Sequence, residues 1–202
     1  MNREHNDVPQ ACINPLTLAD LLLAVHLCPT EVSGLGFVEK TGNVYTITGE
    51  PVIFRQVCSY SRTEFDPVAH GKWTQEMMRE GRGPLINKYR LWWHSHVYFE
   101  SRFSKTDNET IESWSSIPLN EWWMSLVLNK RGSMNLRLDV FKPVRQPPFL
   151  FEGLAFTDPA TKRDILHLMR ERENHIQSVI EQNIVYDPFE KLFDYILDGI
   201  FE

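Results

Sequence analysis

Apolar positions in "NPLTLADLLLAVHLCP" recur at helical spacing, with Leu18, Leu21, Leu22 and Val25 on one face. They predict a helix capped by Asn14, with Pro15 at its first position and Pro29 as its stop. Residues 1–13 read as a loose polar leader. From Glu31 to Ser59 the pattern changes to short β-branched and aromatic runs. There "KTGN" predicts a turn between two strands, and Val52–Val57 predicts a third. "FDPVAHGKWTQEMMREG" returns to helix, opened by Asp66 and Pro67 and closed by Gly81. "YRLWWHSH" predicts a strand, "SKTDNETIESWSS" a short helix, and "EWWMSLVLNKRGSMNLRLDVFKP" a hairpin turned at "KRGS".

The C-terminal part is helical in pattern. "DPATKRDILHLMRERENHIQSVIEQNI" predicts a long helix opened by Asp158 and Pro159. Its apolar stripe is Ile165, Leu168, Met169, Ile176, Val179 and Ile180. "YDPFEKLFDYILDGIFE" repeats the opening at Asp187 and Pro188, followed by Phe189, Leu192, Phe193, Ile196, Leu197 and Ile200. Stripes of this kind usually pack into a core or a dimer seam; a tail that binds a partner is the alternative. No internal repeat or low-complexity segment interrupts the chain.

At 202 residues the chain can bury one sizeable core. Its 42% hydrophobic and 24% charged residues are ordinary for a globular protein. A net charge of -6 disfavours nucleic acid and accommodates a basic partner. Cys12, Cys28 and Cys58 stand far apart, without a C-x-x-C pair, and read as reduced thiols. The start lacks the apolar core of a signal peptide, and "LLLAVHL" is too short to cross a bilayer. A cytoplasmic location is expected.

The chemistry concentrates in "LWWHSHVYFESRFSKTD", Leu91–Asp107. On a strand, residues two apart point the same way, so His94 and His96 share a face while Leu91, Trp93 and Ser95 take the other. Two neutral imidazoles so placed can grip one metal ion. Asp107 is the candidate third ligand. Ser104 and Asp107 also match S-x-x-[DE], a capping box, and taken alone they are a helix cap. Two histidines and a carboxylate would leave a zinc ion with an open position, the mark of catalytic rather than structural sites. Such an ion activates water, and the chemistry needs a proton shuttle. Glu31 is the candidate, placed before Gly34 and Gly36, two glycines that let backbones approach closely; taken alone it is a solvated strand end.

Glu31-Val32-Ser33-Gly34, the His94-Ser95-His96 pair, and Ser104 with Asp107 together resemble the JAMM motif of the MPN+ metalloproteases. The order of elements from Asn14 to Pro143 is similar too. Trp92 matches a tryptophan common in that family. Leu91 and Val97 depart from it, standing where glycine and proline are usual. The resemblance implies an α/β fold of the MPN, cytidine-deaminase-like kind: a curved mixed sheet flanked by helices, here with a helical C-terminal extension. It divides the chain into a metalloprotease domain over 14–156 and an extension over 157–202. It implies one Zn2+ per chain, held by His94, His96 and Asp107. Glu31 would be the general base, and Ser104 would hydrogen-bond the developing oxyanion.

The implied activity is hydrolysis of isopeptide or peptide bonds after the C-terminus of ubiquitin or a ubiquitin-like protein. The implied partners are conjugates of those proteins. A homodimer or partner contact would run through the C-terminal helices. Tyr98, Phe99, Phe103, Trp114 and Trp122 are candidate aromatics for the rim of a substrate groove, or else core. A catalytically silent MPN-type scaffold and a peptidase on non-ubiquitin substrates are the alternative readings.

Overall fold

The computed structural model describes residues 8–118 and 120–187. The second apolar segment predicted at the C-terminus, from Pro188 onward, lies outside them. The chain begins with β1 (Gln10–Ile13), α1 (Pro15–Leu27), β2 (Ser33–Thr41) and β3 (Val44–Val52). Next come β4 (Gln56–Cys58), β5 (Thr63–Phe65), α2 (Pro67–Arg79), α3 (Gly83–Ile86) and β6 (Tyr89–Ser95). The order continues with α4 (Lys105–Ser115), β7 (Trp122–Leu128), β8 (Met134–Val140), β9 (Phe149–Leu150) and β10 (Ala155–Phe156). α5 (Lys162–Asn183) and β11 (Ile184–Tyr186) complete the described residues.

Local chemistry explains most boundaries. The Asn14 side chain accepts from the Leu16 N–H and Pro15 follows at the first turn of α1. Asp66 does the same for α2 through the Val68 N–H, and Gly81 ends it at φ 73°. Gly42 turns the β2–β3 hairpin at φ 62°. Three expectations need correction. The supposed leader contains β1, whose Ile13 is fully buried, because it pairs in parallel with β3 and β10. The strand expected over Val52–Val57 is split: Val52 ends β3, and Gln56 begins β4 in another sheet. The long helix opens at Thr161, not at Asp158, because Thr161 and Asp164 form a reciprocal capping box.

The main sheet is mixed and eight-stranded, in the order β10-β1-β3-β2-β6-β7-β8-β9. Its outermost strands, β9 and β10, are joined by residues 151–154 alone. So short a link spans at most about 18 Å, and the sheet must curl to bring its ends together. A cavity of about 720 Å³ lies along this seam, away from the histidines.

α1 packs on β3 and on α5, and most of its residues are buried rather than one stripe. Its core includes Leu91 and Trp93 of β6 and Ile165, Ile176 and Ile180 of α5. Leu168, Met169 and Val179 pack against the same core, so the stripe of α5 is a packing face. Trp92, between Leu91 and Trp93, instead enters a second cluster under α4 with Ile111 and Phe141. Alternate residues of β6 therefore enter opposite layers. Among the described residues, no helix is long and apolar enough to cross a membrane.

Candidate metal centre

β6, α4 and β7 form a parallel crossover, with β6 paired directly to β7. His94 lies at the C-terminal end of β6, His96 just beyond it, and Asp107 in the first turn of α4. Sites in α/β sheets gather at the carboxyl ends of strands for this reason: the chain leaves the strand and the next helix starts nearby.

The three side chains converge. His94 Nε2 lies 3.1 Å from His96 Nε2 and 3.2 Å from Asp107 Oδ1. His96 Nε2 lies 3.6 Å from Asp107 Oδ2. Side-chain exposures of 3%, 13% and 11% withdraw the group from bulk water without sealing it. Ligand atoms at about 2.0–2.1 Å from a tetrahedral ion stand about 3.3 Å apart, which is the spacing found. His96 Nδ1 is 2.8 Å from the Glu100 carbonyl, which can only accept. The proton therefore sits on Nδ1 and the Nε2 lone pair faces the other two side chains. The group can hold a metal ion.

Charge balance within the group follows from its geometry. Burial alone would raise the Asp107 carboxyl, but the two imidazoles beside it and the Ser104 N–H hold it well below the usual carboxylate range. Burial pushes His94 down against the pull of Asp107, favouring the neutral, ligating form. At His96 burial is outweighed by Asp107, the Glu100 carbonyl and the charge of Glu31, so its pKa rises.

Asp107 is both cap and candidate ligand. The Ser104 N–H donates to its Oδ2 at 2.6 Å, and the Asp107 N–H donates to Ser104 Oγ at 3.1 Å. The capping box fixes the carboxylate that faces the histidines. Ser104 Oγ accepts in this pair and keeps its own proton to donate.

Glu31 lies two residues before β2, and its charge acts on His96. Ser33 pairs with His94, and the Ser95 N–H donates to the Val32 carbonyl at 2.9 Å. Continued, that register sets Glu31 level with His96. The residue is 7% exposed. The two glycines expected to allow close approach do so: a Cβ at Gly34 would collide with the Val52 carbonyl and lie 2.8 Å from the Trp93 indole.

Several supporting residues have no role assigned from the sequence. Ser95, the middle of the histidine pair, is fully buried and accepts from the Val32 N–H at 3.0 Å, bracing β2 against β6. Gln56 Oε1 accepts from the Ser33 N–H at 3.0 Å, and its amide returns to the Ser33 carbonyl at 2.8 Å. The Asn129 amide holds the Phe99 carbonyl at 2.8 Å and so steadies the loop that carries Glu100. Only a pattern of isolated polar residues at core positions could have pointed to them.

The aromatic candidates divide. Tyr98 and Phe99 are 61% and 63% exposed beside His96. Phe103 and Trp114 pack around Trp92, which also stacks on the His94 ring at 4.3 Å. Trp122 packs on Tyr45 on the opposite layer. Trp114 and Trp123 also line an apolar groove of about 540 Å³ between α2 and α4.

The solution structure of protein DSY2949 from Desulfitobacterium hafniense is similar to this chain, with a TM-score of 0.47 and 14% identity, over 77% of this chain and 98% of that one. No family model matches the chain, and no curated protein matches it.

Proposed function

We propose that the chain is a zinc-dependent hydrolase of the JAMM/MPN+ kind, acting on isopeptide or peptide bonds after the C-terminus of ubiquitin or a ubiquitin-like protein. The observation that carries this reading is the convergence of His94, His96 and Asp107 into one largely buried group, with the charge of Glu31 acting on His96. His94, His96 and Asp107 would hold the ion. When bound, zinc lowers the pKa of water and polarises a carbonyl oxygen.

The chain's own groups supply the remaining steps. Glu31 takes the proton of the attacking water and delivers it to the departing amine. Ser104 Oγ, its acceptor role filled by the Asp107 N–H, donates to the oxygen on which charge develops. The exposed Tyr98 and Phe99 form one wall of the approach, where a narrow tail can lie.

The test is turnover of a fluorogenic ubiquitin conjugate by wild type and Glu31→Gln, with zinc content measured on both. Retained zinc with turnover lowered about 10²–10⁴-fold is expected. Wild-type turnover in Glu31→Gln would remove the base. A zinc-loaded wild type inert on every isopeptide and peptide conjugate would leave the scaffold reading in its place.

A further inference from the structure

The metal group rests on α4, yet an ion pair two strands away is tied to it. Arg137 of β8 pairs in register with Ser125, which pairs with Trp92. That register puts Arg137 on the α4 side of the sheet, the side that carries His94. Its guanidinium forks onto Asp139: Nε donates to Oδ2 at 2.7 Å and Nη2 to Oδ1 at 2.6 Å. Both side chains are nearly buried, at 10% and 5% exposure. An ion pair of this kind is costly to bury and by itself adds little stability. Its remaining nitrogen, Nη1, donates to the side-chain Oδ1 of Asn108.

Asn108 follows Asp107 directly. With its oxygen held by Arg137, its amide faces the opposite way and donates to the Ser104 carbonyl at 2.7 Å. The guanidinium also lies 5.4 Å from the centre of the Phe103 ring, the residue before Ser104. Ser104 in turn orients Asp107 through its N–H.

We propose that Arg137, fixed by Asp139 and acting through Asn108, is a positioning residue that locks the first turn of α4 so that the Asp107 carboxylate faces the two histidines. The proposal rests on the metal-binding reading of that group. Arg137 touches no ligand atom. It converts a capping turn, which frays when isolated, into a turn anchored to the central sheet. Outer partners of metal ligands typically change affinity by about 10–100-fold.

The experiment is zinc titration against a chromophoric chelator, using the full chain as wild type, Asn108→Ala, Arg137→Met and the double variant. Thermal melting of the metal-free proteins runs beside it. Asn108 is exposed, so its variant folds even if Arg137→Met does not. A loss of about 10–100-fold in zinc affinity for each single variant is expected. The double variant should lose no more than Arg137→Met alone, because both cut one chain of contacts. Asn108→Ala with wild-type zinc affinity and a lowered melting temperature would overturn the positioning role and leave the metal reading intact. Fully additive losses would also overturn it. A wild type that binds no zinc would overturn both.

Discussion

Arg172→Met should destabilise the protein by about 3–5 kcal/mol, the usual cost of stranding a buried charge. Asp20 sits in the middle of α1 with its side chain 1% exposed. Both of its oxygens are held by one guanidinium, Oδ1 by Nε at 2.8 Å and Oδ2 by Nη2 at 3.0 Å. The fork is bidentate and charge-assisted. Nη2 also reaches Glu50 at 2.8 Å, but Glu50 has a second partner in His175 at 2.7 Å, and its side chain is 48% exposed. The penalty therefore falls on Asp20. Methionine keeps much of the apolar stem and removes only the charge and its donors. For a domain of this size the loss corresponds to about 6–20 °C in melting temperature. Equilibrium unfolding in urea measures it, provided the slope with denaturant is unchanged. Asp20→Ala added to Arg172→Met should recover most of the loss, since no buried charge is then left unpaired. A loss under about 1 kcal/mol, or a double variant equal to the sum of the singles, would refute the reasoning.

Zinc at about a thousand times its dissociation constant should stabilise the wild type by about 4 kcal/mol and should leave His94→Ala and Asp107→Ala unmoved, read by melting with and without the ion. Asp107→Ala should cost a further ~1 kcal/mol without metal, because the Ser104 N–H loses its acceptor. Val97 is buried at φ 40°, a conformation closed to proline; Val97→Pro should destabilise by more than about 1 kcal/mol and weaken zinc binding, and a wild-type melt would contradict this. Burial would raise the Glu50 carboxyl, but hydrogen bonds from His175 and Arg172 hold it below its ordinary 4.5. Its contribution is therefore present above that value and lost as pH falls through the lower folded-state value. Glu50→Gln should flatten the acid limb of the stability profile; an unchanged limb would show that the pair is screened.

Signals confined to one or two turns of chain were legible in the sequence. Asn14, Asp66, Gly42 and Gly81 act within their own segments, and each stands where its chemistry predicts. The convergence of His94, His96 and Asp107 was legible because all three side chains lie on a single crossover. Features that depend on distant partners were not. Four residues of β1 carry too little pattern to reveal a strand that exists through β3 and β10. Asp158-Pro159 looks like a helix opening in the sequence, but the reciprocal bonds of Thr161 with Asp164 start the helix three residues later. Nothing local marks Arg137 and Asp139 as a buried pair, which depends on the neighbouring strands and on Asn108 of α4. The departure at Val97 has a physical account: the loop leaves His96 through a left-handed residue that proline could not supply.

The Asp20–Arg172 pair joins positions 152 residues apart. On a ribosome adding about 5–20 residues per second, roughly 8–30 s separate the emergence of α1 from that of its covering helix. Through that interval α1 exposes apolar surface on the side α5 will occupy, and its carboxylate has only water for company. Glu31, His94, His96 and Asp107 have all been synthesised well before then. The nascent chain thus holds all of its candidate site residues while its core is still open, and capture of an ion by His94, His96 and Asp107 at that stage would favour the β6–α4–β7 crossover over competing pairings. The emergence of α5, rather than that of α1, sets when this core is covered.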